Sequence, residues 1–595
     1  MCRIAGIISA QLSSEERQLR VKDMCNIQAK GGPDDEGFYT APEFNLNFGH
    51  RRLSLIDLSV TGHQPMLYEV ERYVITFNGE IYNYLEIKEE LVALGFSFQS
   101  TSDTEVILAA FAHWGTAAFP KLNGMFAFAL LDKLKGFVYL VRDAAGMKPL
   151  YYSTFNDSFA FSSEVRALAT IPFLNVPDPH WQVYFLAYGH LPEPVTTLKH
   201  VQPLEKGHYL EYNLRTQQTK LFQFSKYSFV STIHNRANAK VAIKQTLTDA
   251  VKRHLISDAP IGVFLSGGID SSILALLAAK SKQVLKTSSI FFNQELFSEK
   301  KYQDIIREKI DCAHYQHLIT EAEFDANLST AIGDMDLPTC DGINTWFISK
   351  YAHESGLKAV LSGIGGDELF GGYPSFSRMK YAKIIAAFPN EVLRFGRNSN
   401  YKVFKRLPYL TIPGIKGKYL FLRGIMMPAV IARNLNIEEA EVWNILSNGE
   451  IDVIENHFQP FNIAANMEFN WYMQNQLLRD ADVMSMAHGL EIRLPFLDDE
   501  MIKLSCNIDQ SLKSSGSYTK QLLIDSFADI LPEPIWKRKK MGFAFPFAHW
   551  FKQEKYAHSF SGKDLTEKHQ KFLKGEIPWS HFFSLLLLDD YQQMH

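Results

Sequence analysis

The chain opens MCRIAGIIS, with a thiol at position 2 directly behind the initiator methionine. Once Met1 is removed, Cys2 carries its own α-amine, a base of pKa about 7.7–8.0 against roughly 10.4 for lysine. Near neutral pH a useful fraction of that amine is free to take the thiol proton, so one residue holds nucleophile and base. A lone cysteine is more often a small buried packing group, so its company decides. FNGEIYNY sets Asn78 and Gly79 at a predicted strand end, where a side-chain amide and a backbone N–H can converge on an oxyanion. GHRRLSLIDLS supplies Arg52, a bidentate partner for a carboxylate, and STSDTEVI supplies Asp103, a partner for an ammonium group. Taken singly, these segments read as a turn, a solvated surface and a helix cap.

A second group of residues points to phosphate chemistry. FLSGGIDSS joins a buried strand, a two-glycine loop and a helix start. Glycines let backbone N–H groups approach an anion, and the helix dipole favours negative charge there. Asp270 stands at that helix start, as a cap or as a ligand for Mg²⁺ against phosphate oxygens. No G-K-[ST] follows, so this is not a Walker A loop. LSGIGGDELFGGY repeats the theme with Ser362, Gly363 and Asp367. RDADVMSMAHGLEIRLPFLD places Arg479, Asp480, Glu491 and Arg493 together, equally suited to a structural ion-pair network. WKRKKMGF sets Lys539 and Lys540 before an aromatic-glycine turn; without other company such a run is a solvated face.

These residues need two different frameworks. Up to about residue 225, YVITFNGEIYNY, MFAFALLD, GFVYLVRDAAG and SFAFSSEV read as short strands, interrupted by the helix LEIKEELVALG. The pattern predicts stacked antiparallel sheets with helices outside, closed by a hairpin in RTQQTKLFQFSKY. From about 240 the pattern changes: AKVAIKQTLTDAVKRHL is an amphipathic helix, and PIGVFL, TSSIFF and LKAVLSG are short buried strands between helices. That succession predicts a parallel sheet covered on both faces. Beyond about 375 the chain reads as mostly helical.

MCRIAGI, GPDDEG, GHRRLSLIDLS, FNGEIYNY and SDTEVI, in this order, resemble the class II glutamine amidotransferase domain, an N-terminal-nucleophile hydrolase of the αββα sandwich type. The resemblance implies that Cys2 attacks the glutamine side-chain amide with Asn78 and Gly79 as the oxyanion hole. It also implies that Arg52, Leu53, Ser54, Leu55, Ile56, Asn78, Gly79, Glu80 and Asp103 bind glutamine. FLSGGIDSS resembles the pyrophosphate loop of enzymes that split ATP into AMP and pyrophosphate. Together the halves resemble the glutamine-hydrolysing asparagine synthetase family over nearly the whole chain. Domains are expected at 1–215 (glutaminase), 216–238 (linker) and 239–595 (ATP-pyrophosphatase). The resemblance implies ATP binding by Leu265, Ser266, Gly267, Gly268, Asp270, Ser271, Ile290, Ser362 and Gly363, with Mg²⁺ on Asp270 and Asp367. Lys540 is assigned the lysine that stabilises the adenylation transition state.

Two departures from the family pattern stand out. Gly31 in KGGPD occupies the place of an arginine, with Lys30 as its candidate substitute. Ile364 occupies the acyl-adenylate position where SGEG has a glutamate. Three readings follow: amidation of aspartate, the same chemistry on another carboxylate such as a uronic acid, and a glutaminase whose ATP half is inactive.

Composition bounds the rest. At 595 residues the chain exceeds one core, and its hydrophobic (46%) and charged (21%) fractions are those of a globular protein. A net charge of -4 excludes a globally basic nucleic-acid binder while leaving room for a local basic patch. Five scattered cysteines, odd in number and never in a C-x-x-C pair, argue against a disulfide framework and a zinc site. No signal peptide and no long apolar run appear, so a cytoplasmic protein with small-molecule substrates and no membrane partner is expected. The family suggests a homodimer.

Overall fold

The computed structural model describes residues 2–281, 285–396, 402–448, 459–542 and 544–594. Two antiparallel sheets form the first half. One has six strands in the spatial order Gln202–Pro203, Tyr151–Ser153, Ser158–Ser162, Arg3–Ser9, Leu46–Arg52 and Asp35–Ala41. The other has six in the order Thr219–Gln223, His208–Asn213, Phe137–Arg142, Gly124–Asp132, Tyr73–Ile81 and Met66–Tyr68. Their inner faces meet around Ile4, Phe48, Val74, Ala129, Leu131 and Phe161. Helix Ser14–Ile27 covers the outside of the first sheet, and helices Tyr84–Ala93 and Asp103–Trp114 cover the outside of the second. This is the expected αββα sandwich. Central strands are therefore buried on both faces, which is why GMFAFALLD is an unbroken apolar run rather than an alternating one.

A five-stranded parallel sheet organises the second half, in the order Cys312–Leu318, Leu285–Phe291, Ile261–Phe264, Ala359–Leu361 and Glu491–Arg493. The sequence pattern pointed to the middle three. Cys312–Leu318, CAHYQHL, is only half-buried and polar, and Glu491–Arg493 is three residues long with charged ends, so neither carries an apolar signature. The chain moves from Ile261–Phe264 first to one side of the sheet and then to the other. The loops that follow Ile261–Phe264 and Ala359–Leu361 thus flank a topological switch point, the usual ligand crevice of open α/β sheets.

Strand Thr219–Gln223 still pairs with His208–Asn213, so the second sheet runs beyond residue 215. The stretch after it is docked rather than free: Val230 N donates to Cys506 O at 3.1 Å and Thr232 N to Asn507 O at 2.8 Å. Helix Arg236–His254 then begins the second half.

Candidate active sites

Cys2 immediately precedes the central strand Arg3–Ser9, and its buried Sγ donates to Leu53 O at 3.9 Å. Burial pushes the thiol up to about 11, so it needs a base beside it to react at neutral pH. Asn78 and Gly79 come from the facing sheet, on Tyr73–Ile81. The Asn78 side chain is fully buried, and neither its Oδ1 nor its Nδ2 has a hydrogen-bond partner. A buried amide without partners is costly, and its natural satisfaction is a bound ligand oxygen. Gly79 has φ +151°, and a Cβ there would come within 2.1 Å of Met125 O, so only glycine fits this turn of the strand.

The loop around the thiol is held from several sides. Arg52 donates to Ser59 O (3.1 Å) and Ile56 O (3.4 Å) and also to Asp57 O, so its guanidinium shapes the loop that contains Leu53, Ser54, Leu55 and Ile56. Ser54 N donates to Asp34 Oδ2 at 2.8 Å, and Lys358 of the second half reaches the same oxygen at 2.7 Å. Asp103, the first residue of its helix, accepts from Ile81 N at 2.9 Å, and burial raises it to about 6. Burial also raises Glu80 well above the usual carboxylate range, against the pull of Arg493, and its Oε2 is unpartnered.

The Gly31 departure has a structural answer, and it is not Lys30. Lys30 turns outward to Asp334 Oδ1 at 2.6 Å. A Cβ on Gly31 would lie 2.8 Å from Arg3 Cγ, so the Arg3 side chain runs through the space that a residue-31 side chain would enter. Its guanidinium pairs with Glu164 (2.8 Å) and with Asp482 of the second half (2.7 Å).

The second site is a cavity of about 440 Å³ at the switch point of the parallel sheet. Leu265, Ser266, Gly268, Asp270 and Ser271 from the first loop line it, with Ile290 from the adjacent strand and Ser362, Gly363, Ile364 and Asp367 from the second loop. Gly267 has φ +81° and turns the chain into helix Ile269–Ser281, while Ser266 Oγ and Ser271 Oγ lie 2.9 Å apart. A Cβ at Gly363 or Gly366 would meet Asp270 at 2.8 Å or 2.3 Å, so these glycines let the two loops close on each other. Ile364 packs partly into the core and adds an apolar wall.

The sequence reading missed the residue at the centre of this cavity. Lys520 Nζ bridges Asp270 Oδ2 and Asp367 Oδ1, and its side chain is almost fully buried. Burial acts to lower Lys520, but the two carboxylates override it and raise it. Lys540 reaches Asp367 Oδ2 at 2.7 Å from the open side of the cavity. Burial acts to raise Asp367, but Lys520 and Lys540 together hold it down to about 2. Lys520 sits alone in SGSYTKQLL, with no charge cluster or glycine loop around it; its one unusual trait is a left-handed backbone, φ 58°. In KRKK the roles divide: Lys537 pairs with Glu533, Arg538 donates to Gly267 O at 2.9 Å and steadies the first loop, and Lys540 faces the carboxylates.

Family models match both halves: a glutamine amidotransferase domain over residues 1–225 and asparagine synthase over residues 242–577. The chain belongs to the asparagine synthase family. It is 33% identical over 574 residues to asparagine synthetase [glutamine-hydrolyzing] 1 of Bacillus subtilis, spanning 93% of this chain and 88% of that one. A putative asparagine synthetase of Mycobacterium bovis is 31% identical over 561 residues, with 88% and 83% covered. An amidase, chry2, of Gibberella zeae is 25% identical over 607 residues, with 92% and 90% covered. The protein is accordingly a ligase of the glutamine-dependent asparagine synthase type, in a family that uses ATP.

In this family member the two sites are joined by a short chain of contacts. Arg493 Nη2 lies 3.3 Å from Glu80 Oε1, its Nε donates to Glu491 Oε1 at 2.6 Å, and its Nη1 donates to His254 O at 2.9 Å. The backbone carbonyl of the same arginine accepts from Ser362 N at 2.9 Å. Arg479 and Asp480, by contrast, serve local structure: Arg479 donates to Leu191 O at 3.0 Å and Asp480 accepts from Thr339 Oγ1 at 2.8 Å.

Proposed function

We propose that the protein hydrolyses glutamine at Cys2, adenylates a carboxylate, aspartate first among candidates, and transfers the ammonia to give the amide. In the first half-reaction the freed α-amine takes the Cys2 proton, Sγ attacks the glutamine amide carbon, and Asn78 Nδ2 with the Gly79 N–H receives the oxyanion. Arg52 and its loop hold the glutamine carboxylate, and Glu80 and Asp103 hold its ammonium group. Ammonia leaves, and water releases glutamate from the thioester.

In the second half-reaction the acceptor carboxylate attacks the α-phosphorus of ATP, forming an acyl-AMP and expelling pyrophosphate. The first-loop backbone and Ser266 cradle the phosphates, and Ser362 and Gly363 hold the nucleotide. Asp270 and Asp367 would hold Mg²⁺; Asp270 Oδ1 is buried without a hydrogen-bond partner, which fits an oxygen available to a cation. Bound there, the ion would neutralise phosphate charge. Lys520, displaced from its carboxylate bridge toward the phosphates, and Lys540 at the open side offset the charge of the leaving pyrophosphate. Ammonia then attacks the acyl carbon and AMP departs. Ammonia in bulk water is mostly protonated, which favours carrying both reactions on one chain in the cytoplasm.

The Asp270–Lys520–Asp367 bridge within the cavity is the observation that carries this reading, because three distant segments converge on one phosphate-sized charge cluster. Ile364 favours a second version, the same chemistry on a different carboxylate, since an apolar wall replaces a carboxylate beside the acceptor. The test supplies glutamine, Mg-ATP and a panel of acids, then measures AMP, glutamate and amide. AMP and asparagine formed with aspartate support the first version, and AMP with another acid alone supports the second. Glutamate without AMP for any acid would sink both.

A further inference from the structure

The local basic patch that net charge leaves room for exists, and it is joined to exposed apolar side chains. Between residues 374 and 396 the sequence has four Lys and Arg (378, 380, 383 and 394) and a single acid, Glu391, in a chain whose totals are 61 basic and 65 acidic, and Arg406 and Lys418 stand close enough to Arg378 and Lys383 to add to their field. Helix Pro374–Ile385 buries Ser375, Met379 and Ala382 and turns the opposite side outward. On that side Tyr381 is 57% and Ile384 63% exposed, and the following turn and helix Asn390–Phe395 continue the series with Phe388 at 52%, Val392 at 50% and Phe395 at 79%. Arg378, Lys380 and Arg394 are exposed among them, and Lys380 Nζ lies 4.8 Å from the centre of the Tyr381 ring.

Five large apolar side chains so close in sequence are not scattered surface hydrophobics of the ordinary kind, and exposed patches of this sort mark an interaction surface. Charge selects the partner. A second copy docking this face against itself in a two-fold dimer would set basic residues against basic residues. A bilayer with anionic headgroups offers the opposite charge and an apolar layer beneath it, and apolar helix faces with a basic surround lie in that interface. Among the described residues no helix is long and apolar enough to cross a membrane.

We infer that the 377–395 face docks on an anionic lipid surface. Pro374 follows Tyr373, a wall residue of the ATP-site cavity, so the docking face and the cavity share one segment of chain.

The test is flotation of the full-length protein with vesicles of phosphatidylcholine alone and of phosphatidylcholine with a minority of phosphatidylserine. Co-flotation is expected with the second kind only and should weaken as salt is raised. It should fall about tenfold or more in Ile384→Asn/Phe388→Ser/Phe395→Ser and, separately, in Arg378→Glu/Lys380→Glu/Arg394→Glu, with glutamine hydrolysis and melting temperature unchanged. Any of three results would overturn the inference. These are no co-flotation with the anionic vesicles at low salt, equal binding to both compositions, and a wild-type dimer that the apolar triple variant converts to monomer.

Discussion

Arg493 Nη2 stands 3.3 Å from Glu80 Oε1, and this pair is one of the places where the glutamine site touches the ATP half of the molecule. Both side chains are buried, and Glu491 shares the same guanidinium. Removing the cation alone would take from two buried carboxylates the guanidinium they share. Arg493→Met should therefore cost about 3–5 kcal/mol, read as a lower denaturant midpoint. Arg493→Lys keeps the charge and should lose less stability than Arg493→Met, while the backbone bond from Ser362 N to the residue-493 carbonyl is common to both variants. A loss in Arg493→Met of less than about 1 kcal/mol would show that the contact is not formed as described.

Asp103 gives a pH signature. Burial raises it to about 6, and only its ionised form can hold an ammonium group. In Cys2→Ala, which cannot turn glutamine over, the Kd for glutamine should therefore rise with falling pH, about tenfold per unit below about pH 6. Calorimetry measures this directly. A Kd that stays flat from pH 7 to 5 in the Cys2→Ala background would remove Asp103 from glutamine binding.

Asp482 binds the halves together through Arg3 (2.7 Å) and Lys148 (3.1 Å). Burial acts to raise its pKa, but the two cations outweigh it and the carboxyl is held below its ordinary value. A depressed folded-state pKa stabilises the fold above the unfolded value, about 3.9, and that contribution is lost as pH falls below about 4. Asp482→Asn should lower stability at pH 7 by about 3–5 kcal/mol. It should also flatten the acid limb of the stability curve, which denaturation at a series of pH values would show.

Lys520 and Lys540 are separable. Lys520→Ala removes the buried bridge and should lower AMP formation by about 10²–10³ with glutamine hydrolysis intact. Lys540→Ala, on the open side, should cost less. If Lys540→Ala were the more severe of the two in AMP formation, the deeper lysine would not be the main phosphate partner.

What could be read in the sequence was local. Cys2, Asn78, Gly79, Asp270 and Asp367 lie in contiguous motifs whose glycines and strand patterns set their own geometry. Strands buried on both faces announced themselves as apolar runs. Lys520 did not, because its meaning comes from Asp270 and Asp367, which stand 250 and 153 positions away in sequence. Arg3 likewise answers Gly31 only through a side chain laid across another segment, and its partner Asp482 is 479 residues distant. The exposed face around Ile384 was not legible either, because the helix carries apolar residues on both sides and only packing decides that Met379 and Ala382 are the buried ones.

Cys2 and the Asp270–Lys520–Asp367 cavity should act as two chemically independent sites working in series. Cys2→Ala assayed with Mg-ATP and the acceptor acid tests this independence most directly, with glutamine and ammonium chloride compared as nitrogen sources and AMP and amide measured. No amide should form from glutamine, and amide should form from ammonium at a rate close to that of the unsubstituted protein. Loss of amide formation from both sources in a folded Cys2→Ala protein would contradict it.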